Sequence, residues 1–89
     1  MEEILIKRGY TEKQAKSAAS ELAQINPLLK EALELWLKDE TETDFHTEGF
    51  SILGLKEKYD MTYPAALLSI DWILKEPQLA ISCINKGIR

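Results

Sequence analysis

The chain has 89 residues, of which 45% are hydrophobic and 29% are charged, and its net charge is −4. This length gives one small domain, which can bury about 60–65% of its unfolded surface. The single cysteine, Cys83, cannot form an internal disulfide, which favours a reducing compartment and argues against a disulfide-stabilised secreted domain. The N-terminus lacks the apolar run of a signal peptide, and no uncharged stretch approaches the roughly 20 residues of a membrane helix. We therefore expect a cytoplasmic protein without a membrane span.

Charge is distributed unevenly along the chain. Residues 1–50 contain six Lys or Arg residues against eleven Asp or Glu residues, a net charge of −5. Residues 51–89 contain five against four, a net charge of +1. An acidic half repels the phosphate backbone of a nucleic acid, and a nearly neutral half attracts it only weakly. These charges disfavour non-specific nucleic-acid binding.

Three helices are predicted in the first part of the chain. Residues 2–8 form a short helix that ends at the glycine following them. Thr11 and Gln14 form a capping box ahead of a second helix, and Asn26 with Pro27 begins a third. Apolar residues recur at helical spacing in the second and third helices and predict their buried faces. These residues are Ala15, Ala18, Ala19, Leu22 and Ile25, then Leu29, Ala32, Leu33, Trp36 and Leu37.

An acidic segment without apolar periodicity follows the third helix. Residues 39–48 read DETETDFHTE, and we interpret residues 40–49 as a solvated linker that is long for a helix–helix connection. Beyond this linker, Ser51 and Thr62 are each expected to cap the start of a helix, with Asp60 in the turn between the two helices.

The last two helices are separated at Pro77, and Gly87 is expected to end the final one. No segment shows the alternating pattern that is typical of a strand. The predicted fold is therefore all-α, a compact bundle of five or six short helices with no sheet. It forms a single domain, residues 1–89, with three parts: a three-helix segment (1–39), the acidic linker (40–49) and a helical hairpin plus C-terminal helix (50–89).

The N-terminal half contains a recurring helical motif. Gly9 and Tyr10 are followed by four residues, Ala15, two residues and Ala18. The third helix contains ALELWL at residues 32–37. In both respects the chain resembles the three-helix ubiquitin-associated (UBA) domains.

The resemblance to UBA domains covers about residues 4–38, with Arg8 at a position where that family usually has Met. It implies a three-helix architecture for this half of the chain. It also implies that the family's ubiquitin-binding patch would here be Gly9, Tyr10 and Leu37. Because a shared fold does not imply a shared function, ubiquitin is not an expected partner.

Residues 52–73 resemble a helix-turn-helix, with Thr62 at the usual cap of the second helix. Lys56 replaces the small residue usual at the helix crossing, and Asp60 replaces the usual turn glycine. Base reading uses Arg, Lys, Asn or Gln at the start of the second helix, placed in the major groove. Here those positions carry residues without a bidentate donor: Tyr63, Pro64, Leu67, Leu68 and Asp71.

DNA binding is the alternative function that the helix-turn-helix pattern leaves open. Contacts to phosphates would then come from Lys56, Lys58 and Lys75. The chain would act as a dimer or within a larger complex.

The chain as a whole is similar to small bacterial all-α proteins of uncharacterised function. These join a helical N-terminal half to a segment of the form DWLL-x-EP, which here is DWILKEP at residues 71–77. This similarity implies no activity.

Few side chains suggest catalysis or metal binding. His46 stands near Asp44 and Glu48, but a dedicated metal site needs four or more ordered ligands, so no metal is expected. Cys83 has aliphatic neighbours and is interpreted as an inert core thiol. The sequence contains no glycine-rich phosphate loop, HExxH or CxxC. We expect a protein that is not an enzyme and that has no cofactor.

The stretch from Tyr63 to Leu74 is unusually apolar, with Ser69 and Asp71 as its strongly polar residues. A helix that is apolar on nearly all sides is either the central helix of its own bundle or half-covered by a partner. Under the second hypothesis, its outer stripe is Pro64, Leu67, Leu68, Asp71 and Lys75.

The sequence therefore predicts a small protein that acts by protein–protein contact, as an adaptor or accessory regulator. The expected contact surface is Tyr63, Leu67 and Leu68, with Phe45 and Phe50 beside the acidic linker. The partner is an unidentified protein, and a second copy of the chain is one alternative. Nucleic acid, ubiquitin and a membrane are not expected partners.

Overall fold

The structure is a computed structural model that describes residues 1–86, so the predicted helix end at Gly87 lies outside the described residues. Within residues 1–86, six helices follow one another, with a two-stranded hairpin between the third and the fourth. The elements are α1 (Glu2–Lys7), α2 (Glu12–Leu22), α3 (Pro27–Asp39), β1 (His46–Thr47), β2 (Phe50–Ser51), α4 (Ile52–Lys58), α5 (Tyr63–Lys75) and α6 (Pro77–Asn85). The Cα radius of gyration is 12.5 Å.

Side-chain caps begin the second and third helices as the sequence predicts. The Thr11 hydroxyl accepts a hydrogen bond from the Gln14 N–H at 3.1 Å, and the Gln14 side chain accepts one from the Thr11 N–H at 3.1 Å. The Asn26 side chain accepts from the Leu28 N–H at 2.9 Å, with Pro27 as the first residue of α3. These bonds satisfy backbone donors that have no partner inside the helix.

The helical hairpin is also capped as predicted. The Ser51 hydroxyl accepts from the Gly54 N–H at 3.0 Å, and the Thr62 hydroxyl accepts from the Ala65 N–H at 3.3 Å. Between α4 and α5, Asp60 has a φ of 53°, the left-handed conformation that the motif usually assigns to glycine. The predicted turn at Asp60 is therefore present.

The prediction of a fold without a sheet is wrong. β1 and β2 pair antiparallel, with Thr47 opposite Phe50. Glu48 and Gly49 form the two-residue loop, with φ values of 50° and 81°. Two positive φ values in a two-residue loop suit the right-handed twist of paired strands. Strands of two residues are too short to show the alternation by which a strand is recognised in sequence.

α5 is the central helix of the fold. It packs against α2, α3, α4, α6 and β1. Six of its apolar side chains are at most 2% exposed: Tyr63, Pro64, Ala66, Leu67, Ile70 and Ile73. Of the two hypotheses for this apolar helix, the one in which its own chain covers most of it is therefore correct.

The remaining core comes from both halves of the chain. Most of the predicted inward positions of the second and third helices are buried in one continuous cluster, together with Ile52 and Leu55 of α4. The buried members are Ala15, Leu22, Ile25, Leu29, Leu33, Trp36, Ile52 and Leu55. Among the helices described in residues 1–86, none combines the length and the apolar character needed to cross a membrane.

An Arg8–Trp36–Tyr63 cluster connects the two halves. The Arg8 guanidinium lies 4.5 Å from the centroid of the Trp36 ring, and the Tyr63 ring centroid lies 6.2 Å from that of Trp36. Arg8 also donates to the carbonyl oxygens of Trp36 and, at 3.0 Å, of Leu37, near the C-terminal end of α3. The Tyr63 hydroxyl donates to the Thr43 carbonyl at 2.6 Å, so the acidic segment is attached to α5 as well.

Candidate functional site

One face of α5 is left uncovered by the rest of the described chain. Ala65 is exposed, and Leu68, Ser69 and Trp72 are half-buried. These four residues stand at positions i, i+3, i+4 and i+7, so they lie on the same side of the helix. Three of the four are apolar, although the side faces solvent.

This face forms part of a groove between α2, α5 and α6, which we call the α5 groove. Its volume is about 860 Å³. Its apolar lining comes from the turn before α5, from α5 itself and from the end of α6. The apolar lining residues are Met61, Ala65, Leu68, Trp72 and Ile84, and the charged ones are Glu21, Asp71 and Lys75.

A second concavity of about 360 Å³ adjoins the α5 groove. The two share Thr62, Ala65 and Leu68, and the second one includes Tyr10 and Ala18 in its lining. The Tyr10 hydroxyl lies 2.8 Å from the Thr62 hydroxyl, which fixes the Gly-Tyr loop against the start of α5. The accessible apolar surface therefore continues along α5 as far as Tyr10.

Asp71 fixes the turn between α2 and α3 against α5. One oxygen of its carboxylate accepts from the Asn26 N–H at 2.8 Å, and the other accepts from the Lys75 ammonium at 2.9 Å. Lys75 also donates to the Gln24 carbonyl at 3.2 Å. A carboxylate that is only 7% exposed is tolerated because both oxygens have donors. These bonds hold the α2 side of the groove in place.

The predicted outer stripe of α5 is wrong at Pro64, Leu67 and Asp71. Pro64 and Leu67 are less than 2% exposed. The polarity of Asp71 suggested contact with solvent, but its carboxylate has its partners inside the protein. Each residue of an α-helix turns by about 100°, so the uncovered face, one residue further along, is rotated from the predicted stripe by that angle. Leu68 belongs to both.

The structure does not bring the five predicted contact residues together. Tyr63 and Leu67, 2% and 0% exposed, lie in the core, so neither can contact a partner in this conformation. Leu68 lines the α5 groove. Phe45 and Phe50 are half-buried against the core beside the hairpin, away from the groove lining.

The Tyr63 hydroxyl is a buried titratable group. Burial raises the pKa of Tyr63 above its ordinary value of 10.0. Its hydrogen bonds with Thr43 act in the opposite direction, and the nearby negative charge of Glu42 raises the pKa further. The raised pKa favours the protonated phenol, and Tyr63 is part of the core.

The three lysines assigned to phosphate contact are engaged within the protein. Lys56 forms an ion pair with Glu42 of the acidic segment, and Lys75 forms one with Asp71. The Lys58 ammonium lies 5.4 Å from the centroid of the adjacent tyrosine ring, Tyr59. Two of the three cations are thus neutralised by carboxylates, which reduces their attraction for phosphate.

The loop that the UBA resemblance assigns to ubiquitin binding is partly covered by the chain itself. Gly9 is exposed with a φ of 105°, but Tyr10 is half-buried against α5 through its bond to Thr62. Leu37 is half-buried, and its carbonyl accepts from Arg8 at 3.0 Å. Arg8, the departure from the family pattern, therefore joins this loop to the end of α3.

The remaining chemistry-bearing residues form no organised site. His46 lies 3.6 Å from the Asp44 carboxylate, and its side chain is 77% exposed. The other Asp44 oxygen accepts from the Leu53 N–H at 3.1 Å. Cys83 is half-buried on α6. No group of three or more His, Cys, Asp or Glu side chains suited to a metal ion lies within residues 1–86.

Sequence reasoning missed Met61, Ala65 and Trp72 as groove residues. A signal was present, because small residues at 65 and 69 share a face with Leu68 and Trp72, and small side chains leave room beside large ones. It was overlooked because Asp71 was used to mark the side of the helix that faces solvent.

Comparison of the chain with protein-family models, with curated protein sequences and with solved structures finds no significant match. The candidate site therefore rests on the geometry of residues 1–86. In that geometry, the α5 groove is a concave apolar surface whose sides are held by hydrogen bonds.

Proposed function

We propose that this chain is a small, non-enzymatic protein–protein interaction domain that binds a segment of its partner in the α5 groove. The observation that carries the proposal is the uncovered apolar face of α5, where Ala65, Leu68 and Trp72 border a groove of about 860 Å³. Exposed apolar surface on a small protein tends to mark an interaction site, and aromatic residues supply much of the binding energy at such sites. A groove between helices suits the apolar face of a partner helix.

The sides of the groove are held in place by hydrogen bonds, and this supports the same proposal. Asp71 holds the α2–α3 turn, and the Tyr10–Thr62 hydrogen bond holds the loop before α2. A site whose sides are already fixed loses little conformational freedom when a partner binds. This favours docking of a partner segment over a role in which the groove forms only on binding.

DNA binding by the helical hairpin is the alternative proposal. The positions that the motif would use for base reading carry no bidentate donor, and three of them, Tyr63, Pro64 and Leu67, are at most 2% exposed. Lys56 and Lys75 are paired with carboxylates. Protein binding is therefore better supported than DNA binding.

Site-specific photo-crosslinking tests the proposed function. Benzoylphenylalanine is placed at Leu68 in the groove and, as a control, at Glu34 on the exposed side of α3. In cells that make the chain naturally, we expect a discrete protein adduct from position 68 and none from position 34. The variant Ala65→Arg, made at an exposed position so that the fold is retained, should fill the groove and abolish the adduct.

Two outcomes would contradict the proposed function. The first is the absence of an adduct at position 68, and the second is an adduct that persists when Ala65→Arg fills the groove. Circular dichroism of each variant verifies that the fold is intact. Leu67 is not a suitable test position, because a charge at a fully buried site would unfold the chain.

A further inference from the structure

Met61 is the one sulfur-containing residue that lines the α5 groove in the described part of the chain. It stands in the turn before α5, where its N–H donates to the Lys56 carbonyl at 2.9 Å, so its backbone is held in place. Its side chain is half-buried and also lines a neighbouring concavity of about 500 Å³ between the acidic segment and α4. The side chain is therefore open to small solutes from two sides.

The hydroxyl of Ser69 lies beside the Met61 thioether. Its oxygen is 3.8 Å from the Met61 sulfur, and it donates to the Ala65 carbonyl at 3.0 Å, one turn earlier on α5. Ser69 is half-buried and lines the α5 groove together with Met61. A thioether is a weak acceptor, so this contact contributes little while the sulfur is reduced. An oxygen atom added to that sulfur is a much better acceptor, next to a hydroxyl that is already positioned.

We infer that Met61 is a redox switch of the α5 groove, an inference that rests on the proposed function. The oxidant is a peroxide. The Met61 sulfur attacks one oxygen of hydrogen peroxide, the O–O bond breaks, a sulfur–oxygen bond forms and water leaves, so that the thioether becomes a sulfoxide by losing two electrons. The sulfoxide is polar and accepts from Ser69. An apolar partner segment therefore loses its contact at this end of the groove.

The proposed switch acts locally and can be reversed. Met1, the other methionine, is 41% exposed but does not line the groove, and Cys83 on α6 lies outside the lining as well. Oxidation of Met1 or Cys83 thus leaves the groove lining chemically unchanged. Methionine sulfoxide is returned to the thioether by a pair of reductases, one for each epimer of the sulfoxide. Reduction of Met61 restores the apolar surface.

The test adds an oxidation step to the crosslinking experiment. The purified full chain, with benzoylphenylalanine at position 68, is treated with hydrogen peroxide, freed of it and irradiated in a lysate of cells that make the chain naturally. Mass spectrometry measures the oxygen added at Met61. We expect the yield of the position-68 adduct to fall at least threefold in the oxidised chain and to recover after treatment with both reductases.

Met61→Leu is the matched control, because leucine keeps an apolar side chain of similar size without the sulfur. This variant should keep its adduct through the same peroxide treatment. Oxidation elsewhere, for example at Cys83, occurs in both chains and cancels in the comparison. Circular dichroism of the oxidised chain should show an intact fold.

Any of four results would overturn the inference. They are a Met61 that stays reduced while Met1 is fully oxidised, an unchanged or irreversibly lost adduct at full oxidation of Met61, an equal loss in Met61→Leu, and unfolding of the oxidised chain. An adduct before oxidation would in each case still support the proposed function. If no adduct forms even before oxidation, the proposed function fails, and the inference fails with it.

Discussion

Replacing Asp71 by alanine tests the assignment of this carboxylate to the interior. In the structure it is 7% exposed and accepts hydrogen bonds from the Asn26 N–H at 2.8 Å and from the Lys75 ammonium at 2.9 Å. Asp71→Ala removes both acceptors. We expect a clear loss in the free energy of unfolding, because a backbone donor is left without a partner beside α5.

The size of the loss follows from the two bonds. A hydrogen bond to a charged group contributes about 1.5–3 kcal/mol, and a buried donor left unsatisfied costs about 1–3 kcal/mol. Lys75, with a side chain 49% exposed, regains water when its partner is removed, so its share is below about 1 kcal/mol. The expected total for Asp71→Ala is therefore about 2–4 kcal/mol. Asp71→Asn keeps an oxygen for the Asn26 N–H and should lose only about 1 kcal/mol.

Urea unfolding followed by far-UV circular dichroism measures these losses without the ionic screening of a guanidinium salt. Glu31→Ala, on the exposed side of α3, is the control and should change stability by less than about 0.5 kcal/mol. If Asp71→Ala loses no more than Glu31→Ala at an unchanged slope, the carboxylate is solvated and the assignment fails. An equal loss for Asp71→Asn and Asp71→Ala would show that charge, rather than the bond to Asn26, holds the turn.

Three further predictions concern other contacts. Because the pKa of Tyr63 is raised in the folded state, its contribution to stability is complete below about pH 10 and is lost as the pH rises through the folded-state value. Urea unfolding at several alkaline pH values should therefore show wild type losing stability faster than Tyr63→Phe, and parallel profiles would contradict this. Arg8→Met should lower the free energy of unfolding by about 2 kcal/mol. Arg8→Lys should recover little of this lost stability, because lysine lacks the planar guanidinium of arginine. Full recovery of stability in Arg8→Lys would show that the hydrogen bonds from Arg8 to the α3 carbonyls contribute little. In a fluorescence-anisotropy titration we expect no steeply salt-dependent duplex binding, whereas steep binding that weakens on the double substitution Lys56→Ala and Lys58→Ala would establish the DNA alternative.

The helix boundaries could be predicted from sequence because their signals are local. Each capping side chain accepts from a backbone N–H only two or three residues further along the chain. The capping residues are Thr11, Asn26 and Thr62. Such bonds require no knowledge of the tertiary structure. The hairpin between α3 and α4 was not predicted, because a pair of two-residue strands lacks periodicity; β1 packs on α5 and β2 on α4.

The candidate site could not be predicted because it depends on contacts that are distant in sequence. The carboxylate of Asp71 lies inside with donors to both oxygens, and one of them, the Asn26 N–H, comes from 45 residues earlier in the chain. Without that contact, polarity placed Asp71 on the outer side and rotated the predicted face of α5. Of the predicted contact surface, Leu68 alone lies in the groove, whereas Tyr63 and Leu67 were too apolar to be distinguished from core by composition.

The contacts between the two halves also bear on how the chain can be divided. The side chains of Tyr10 and Thr62 share a hydrogen bond, and the Asn26 N–H donates to Asp71. The Trp36 ring packs on the Tyr63 ring. A fragment of residues 1–39 would therefore leave the buried side of α3 without its cover, despite its resemblance to an independent three-helix domain. A chain severed in the acidic segment should regain its structure only when both pieces are mixed. The protein is thus suited to fragment complementation, in which each half folds on the other as a template.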